Sequence, residues 1–140
     1  MADKLFLDAN IIPDFFLKRN RYNDCVKLFD LIHQRKASAF VTPSIIRITA
    51  HWLTKAYGNT SCKKLLQALL QEIRVVDSNH SVIEKAIESR VADVEDAIQY
   101  FTSVHHKADY FITHDLKLQK QEYQILPIVS LEQYLQKHQQ

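Results

Sequence analysis

The segment "LFLDANIIPDFF", Leu5 to Phe16, decides how the rest of the chain is read. A short apolar run stops on an acid, Asp8, and Asn10 then opens a helical pattern. Pro13 falls in the first turn of that helix, where a missing N–H removes no intrahelical bond. A buried strand passing at once into a helix is the building unit of α/β folds. In open parallel sheets, ligands gather at the carboxyl ends of the strands. A carboxylate at that point therefore has two readings, a helix-capping turn or the first ligand of a cation.

Working outward, Lys4–Asp8 is the first strand and Asn10–Arg19 the first helix. Tyr22–Arg35 carries Cys25, Val26, Leu28, Phe29 and Ile32 at helical spacing. Ala39–Thr42 is a second strand, and Pro43 opens a helix that runs to about Tyr57 and closes at Gly58. Thr60 or Ser61 caps the next helix, with its stripe at Leu65, Leu66, Leu69, Leu70 and Ile73. Arg74–Asp77 is a third strand and Ser81–Arg90 a helix. Asp93 starts another helix, with Ala97, Ile98, Phe101 and Val104 on one face. Asp109–Asp115 is a fourth strand that again ends in acid. Gln124–Ser130 is a fifth strand, put at a sheet edge by Pro127, and Ser130 caps a terminal helix. Strands alternating with helices predict an α/β domain with a mostly parallel sheet, one domain over residues 1–140.

Composition removes several alternatives. Of the 140 residues, 46% are apolar and 24% charged, an ordinary globular balance. The sole glycine, Gly58, is too few for a Walker loop, a dinucleotide fingerprint or a kinase loop. Cys25 and Cys62 are far apart and have no CxxC partner; they read as buried small hydrophobes, neither a zinc site nor a disulfide. No stretch approaches the ~20 apolar residues of a membrane span, and the N-terminus lacks a signal-peptide layout. A cytoplasmic protein is expected. The net charge of +2 neither requires nor forbids nucleic acid.

The acids are more informative. Asp8 ends strand one and Asp115 ends strand four, two strand ends that can be neighbours in a doubly wound sheet. "VADVEDAIQYF" adds Asp93, Glu95 and Asp96 at a helix start. Capping accounts for this segment taken alone: Asp93 as N-cap, Glu95 and Asp96 facing the positive helix end. Asp96, however, adjoins Ala97 and Ile98 on the apolar side, and an inward acid needs a cation or a strong donor. Asp8, Asp96 and Asp115 brought together would repel unless a cation binds. Mg²⁺ and Mn²⁺, hard ions that take oxygen ligands, are the natural partners.

With those residues in hand, the sequence resembles the PIN-domain family, which includes the VapC-type toxins of bacterial toxin–antitoxin pairs. The resemblance rests on "LFLDANIIPDFFLKR", "DVEDAIQYFTSVHHKADYFITHD" and "ILPIVSLEQYL", in matching order along essentially the whole chain. It implies a three-layer α/β/α sandwich with a parallel sheet of four to five short strands. It also implies a Mg²⁺- or Mn²⁺-dependent endoribonuclease, a homodimer with RNA as substrate and a small antitoxin protein as partner. Asp8, Asp96 and Asp115 take the family's catalytic and metal-binding positions, with Asn10, Asp93, Glu95 and Thr113 supporting them. One departure stands out. The family's second acid, a Glu on the helix after strand two, has no counterpart between Thr42 and Lys55. Arg47 lies in that region and could bring a cation to the site. The departure motivates an alternative, a degenerate PIN-like module that binds RNA or a protein without cleaving it.

Other residues have plainer readings. Asp14 is a capping or ion-pairing residue. Lys18, Arg19 and Arg21 form a solvated turn within reach of an RNA backbone. His51, His105 and His106 form no metal motif, and His114 stands beside Thr113 and Asp115, where it could contact phosphate. Trp52 and Phe101 are expected in the core. A receiver-like signalling domain would need a lysine after a late strand, and "QILPIVS" ends without one.

Overall fold

β1 (Asp3–Leu7) forms the middle of a five-stranded sheet in the order β3-β2-β1-β4-β5. The computed structural model describes residues 2–120 and 125–138. All the pairings are parallel: β1 lies between β2 (Ala37–Val41) and β4 (Tyr110–Ile112), with β3 (Arg74–Val75) and β5 (Ile128–Val129) at the edges. Leu5, Phe6 and Leu7 are fully buried, because a central parallel strand is covered on both faces. Phe6 stacks on Phe111 at 5.0 Å and meets Phe40 edge-on at 5.5 Å, so the aromatic packing runs across the three inner strands.

The helices follow from the sequence pattern and from their caps. α1 (Ile11–Phe16) and α2 (Tyr22–His33) connect β1 to β2; α3 (Pro43–Tyr57) and α4 (Asn59–Leu70) connect β2 to β3. α5 (His80–Glu88) and α6 (Val94–His105) lead back to β4. α7 (Leu116–Gln119) follows β4, and α8 (Leu131–Lys137) follows β5. Right-handed crossovers in this strand order put α1–α4 on one face and α5 and α6 on the other. The Asn79 side chain caps α5, Asp93 caps α6, and Ser130 with Gln133 makes a capping box on α8. Gly58, at φ 87°, takes the turn between α3 and α4 that an L side chain would resist.

The α/β class, the parallel sheet and the edge position of β5 agree with the sequence expectations; several boundaries differ. α1 stops at Phe16 instead of Arg19, because Lys18 turns to φ 52° and the Arg19 N–H reaches back to the Asp14 carbonyl. β3 covers two residues, although the Val76 N–H still donates to the Val41 carbonyl. β4 ends at Ile112, and Thr113–Asp115 leave the sheet as a loop that starts α7, a helix not anticipated. Gly58, not Thr60 or Ser61, precedes α4. Gln124, expected to open the fifth strand, lies outside the described residues. Trp52 is 39% exposed and not a core residue; it lies on the outer side of α3 with the Lys55 ammonium 5.7 Å from its ring. Phe101 packs half-buried against the core, and both cysteines are buried and free. Among the described residues, no helix is long and apolar enough to cross a membrane.

Phe6→Ala is expected to cost about 3–5 kcal/mol in urea unfolding, since it empties the space between Phe40 and Phe111. Ile87→Ala, at a side chain 64% exposed, should stay within about 0.5 kcal/mol.

Candidate functional site

β1 and β4 are neighbours whose chains depart toward opposite edges of the sheet, which opens a crevice at their carboxyl ends. A cavity of about 360 Å³ occupies that crevice. Asp8 and Asn10 line it from the end of β1, and Thr113, His114 and Asp115 from the end of β4. Ile45 and Ile48 line it from α3, and Glu95, Asp96 and Gln99 from α6.

Each acid is held by local structure. The Asp8 N–H donates to the Ile112 carbonyl at 3.0 Å, continuing the β1–β4 ladder one residue beyond the strands. The buried Thr113 hydroxyl donates to Asp8 Oδ2 at 2.7 Å. Asp115 Oδ1 accepts from the Lys117 and Leu118 N–H groups and so caps α7, while the Asp115 N–H donates to the Thr113 hydroxyl. Asp93 accepts from the Asp96 N–H and caps α6, which orients the first turn carrying Glu95 and Asp96. Asn10 precedes α1 but makes no side-chain capping bond, so its amide is available where it lines the cavity.

The electrostatics agree with this crowding. Burial raises the Asp8 pKa, the Thr113 hydroxyl and the Ala9 N–H oppose that, and the charges of Asp115 and Glu95 add to the rise. Burial likewise pushes Asp96 up to about 6, helped by the charges of Asp8, Asp93 and Asp115 and by Asp115 accepting its proton. Acids converging without a cation behave in this way. The carboxylates offer hard oxygen donors, which suit Mg²⁺ or Mn²⁺. Among the described residues, no group of three acidic, histidine or cysteine side chains is already drawn close enough to hold an ion. The fit is therefore one of chemistry and placement.

The structure brings Asp8, Asp96, Asp115, Asn10, Glu95 and Thr113 to one cavity, while Asp93 stands outside it as the α6 cap. Arg47 is exposed and does not line the cavity; Ile48, one position on, does. Asp14 is buried, and Arg19 pairs with it at 2.8 Å. A second cavity, lined by Asn10, Asp14, Arg19, Asn20, Arg21 and His114, adjoins the first through Asn10 and His114. Both ring nitrogens of His114 are buried without a hydrogen-bond partner among the described residues. Burial, then the Arg21 charge, lowers its pKa, against the charges of Asp14 and Asp24. Gln99 was missed by sequence reasoning. Its signal is its position, four residues after Glu95 on the apolar side of α6.

The family model for the PIN domain matches residues 4–117, and the chain belongs to that family, whose members are typically metal-dependent nucleases. No curated protein matches the chain. Among solved structures, it is similar to VapBC2 from Rickettsia felis, bound to a DNA fragment from their promoter. That match has a TM-score of 0.66 at 14% identity over 89% of this chain and 98% of the other. It is also similar to VapC20 of Mycobacterium tuberculosis, a sarcin-ricin loop cleaving toxin. Here the TM-score is 0.62 at 13% identity, over 88% and 99% of the two chains. The PIN-like α/β fold with VapC toxins as structural neighbours agrees with the resemblance read in the sequence.

A pH test follows from Asp96. Its carboxyl holds a proton more tightly in the fold (about 6) than at its ordinary 3.8. The stability it contributes is thus full below about 4 and is lost as pH rises through about 6. In chelator-treated protein at pH 7.5, Asp96→Asn should be more stable than the wild type by on the order of 1 kcal/mol after allowing for solvent screening. That corresponds to about 3 °C in Tm. The difference should vanish by pH 4, and equal melting temperatures throughout would show that the acids do not strain one another.

Proposed function

We propose that this protein is a Mg²⁺- or Mn²⁺-dependent endoribonuclease that hydrolyses RNA phosphodiester bonds. The observation carrying this reading is the meeting of Asp8, Asp96 and Asp115 in one cavity at the switch point of a PIN-domain sheet. Asp8, Asp96 and Asp115 hold the ion. Bound there, it supplies Lewis acidity to an in-line displacement at phosphorus. Thr113 fixes the Asp8 carboxylate, and the α7 N–H groups fix one oxygen of Asp115, leaving the other for the ion. Water adds to phosphorus, the P–O bond to the leaving nucleotide breaks, and the proton the water gives up is balanced by one taken up at the leaving oxygen. Asn10, Arg21 and His114 flank the cavity on the side where the adjoining strand would run, and Arg21 there meets backbone phosphate.

The toxin of a toxin–antitoxin pair is the biological setting this reading favours, with a homodimer and a small antitoxin protein as partners. Its support is the similarity in fold to VapBC2 and VapC20, the first of which was solved with its promoter DNA. The lack of an acid on α3 favours a second reading, binding of RNA without cleavage.

The test is incubation of antitoxin-free protein with a mixed RNA pool in Mn²⁺ or Mg²⁺. Cleavage is expected, with loss in EDTA and a fall of at least about 100-fold in Asp96→Asn. Arg21→Ala should weaken RNA binding and reduce its salt dependence by about one phosphate contact. Folded wild type that binds the pool without cutting any RNA in it would establish the second reading instead.

A further inference from the structure

α3 brings no carboxylate to the cavity, yet its flank of the cavity is not without one. Glu95, in the first turn of α6, lines the cavity and reaches across to α3. Its Oε1 accepts from the Ser44 hydroxyl at 3.3 Å and from the Gln99 side-chain N–H at 2.8 Å. Its Oε2 accepts no hydrogen bond among the described residues, and so has free lone pairs for a cation.

Gln99 is the centre of this arrangement. It is 2% exposed, and a buried amide has to satisfy both its ends. The Thr42 hydroxyl, 1% exposed, donates to Gln99 Oε1 at 2.8 Å. The amide nitrogen spends its two N–H groups on Glu95 Oε1 and on Ser44 Oγ, the latter at 3.0 Å. Its orientation is determined by the chemistry: a flipped amide would put oxygen against the Glu95 carboxylate. A hydrogen-bond chain therefore starts in the interior at the end of β2, passes through α6 and terminates on one oxygen of an acid at the cavity rim. Charge-assisted bonds of this kind fix direction as well as position.

We propose that Glu95 is the fourth carboxylate of the metal site, taking the place of the acid that α3 lacks, and that Gln99 is its positioning residue. The inference rests on the metal-site reading above. Ser44 supplies from α3 a hydroxyl that orients the acid, and Ile48 seals the same wall without charge.

The test is Mn²⁺ titration of chelator-stripped full-length protein, with free Mn²⁺ read by electron paramagnetic resonance and folding checked by thermal melting. Asp96→Asn should abolish binding. Glu95→Gln, isosteric and at an exposed position, should weaken Kd by about 10- to 100-fold. Gln99→Leu should weaken it by about 10-fold in the wild type and add nothing in the Glu95→Gln background. Should Gln99→Leu melt below the assay temperature, Ser44→Ala removes the other donor and should follow the same pattern. Wild-type affinity in Glu95→Gln alongside lost binding in Asp96→Asn would overturn the role of Glu95 and leave the metal site standing. A Gln99→Leu effect that persists without Glu95 would overturn the positioning. No Mn²⁺ bound by the wild type would overturn the metal site, and this inference with it.

Discussion

Parallel pairing of β1 with β4 is the constraint on which the cavity depends, since it sets Asp8 opposite Thr113 at the point where the two chains separate. The pairing is hard to disturb. Leu5, Phe6 and Leu7 are fully buried between two neighbouring strands, and the Phe6 ring is stacked against Phe111 of the partner strand. A shift of one residue would turn every side chain of a strand to the opposite face. It would also break the bond from Thr113 to Asp8. α1 leads away toward β2 and α7 toward β5, so no crossover covers the strand ends. α3 and α6 then close the crevice from opposite faces, one with isoleucines and the other with acids.

Capping and cavity lining, which compete as readings of the sequence, are two uses of the same carboxylates in the structure. Asp115 spends Oδ1 on two α7 N–H groups and still lines the cavity. Asp93 spends its carboxylate on the Asp96 N–H and thereby aims the first turn of α6 at the cavity. Backbone N–H groups are the donors that tolerate a nearby second acid, because they carry no charge to be neutralised. The residual strain shows in the raised pKa values of Asp8 and Asp96, neither of which has a capping role. A protein selected only for stability would not keep them there.

How far the sequence could be read depended on the range of the interaction. The buried strand at Leu5–Leu7, the helical stripes, the edge position forced by Pro127 and the Ser130 cap all express local chemistry, and all were legible. β3 and β5, two residues each, owe their extent to pairing with neighbours distant in sequence. Their limits could not be found from propensity. Arg47 illustrates a second limit: one helical position is a rotation of roughly 100°, and that step separates an exposed guanidinium from Ile48 at the cavity wall. Trp52 illustrates a third, for an aromatic within an apolar helix reads as core until the neighbouring elements are in place. Gln99 was hidden for the opposite reason. A glutamine on a helix reads as surface, and only Thr42, 57 positions earlier, reveals that it is buried and committed.

Moving an acid from α3 to α6 changes more than its address. Glu95 and Asp96 now follow one another in the first turn of a single helix, behind the Asp93 cap. A helix N-terminus carries a positive partial charge that favours anions by about 0.3–1 kcal/mol each. The same turn thus moderates the repulsion it concentrates. An acid in the middle of α3 would have no such field and would share its cavity wall with Ile45 and Ile48 of the same helix. With Glu95 tied through Gln99 to Thr42, the displaced carboxylate is still referenced to the end of β2, the strand from which α3 itself departs. The hydrogen-bond chain spans the two faces of the sheet. It lets α6 supply the charge while β2 continues to set where that charge stands.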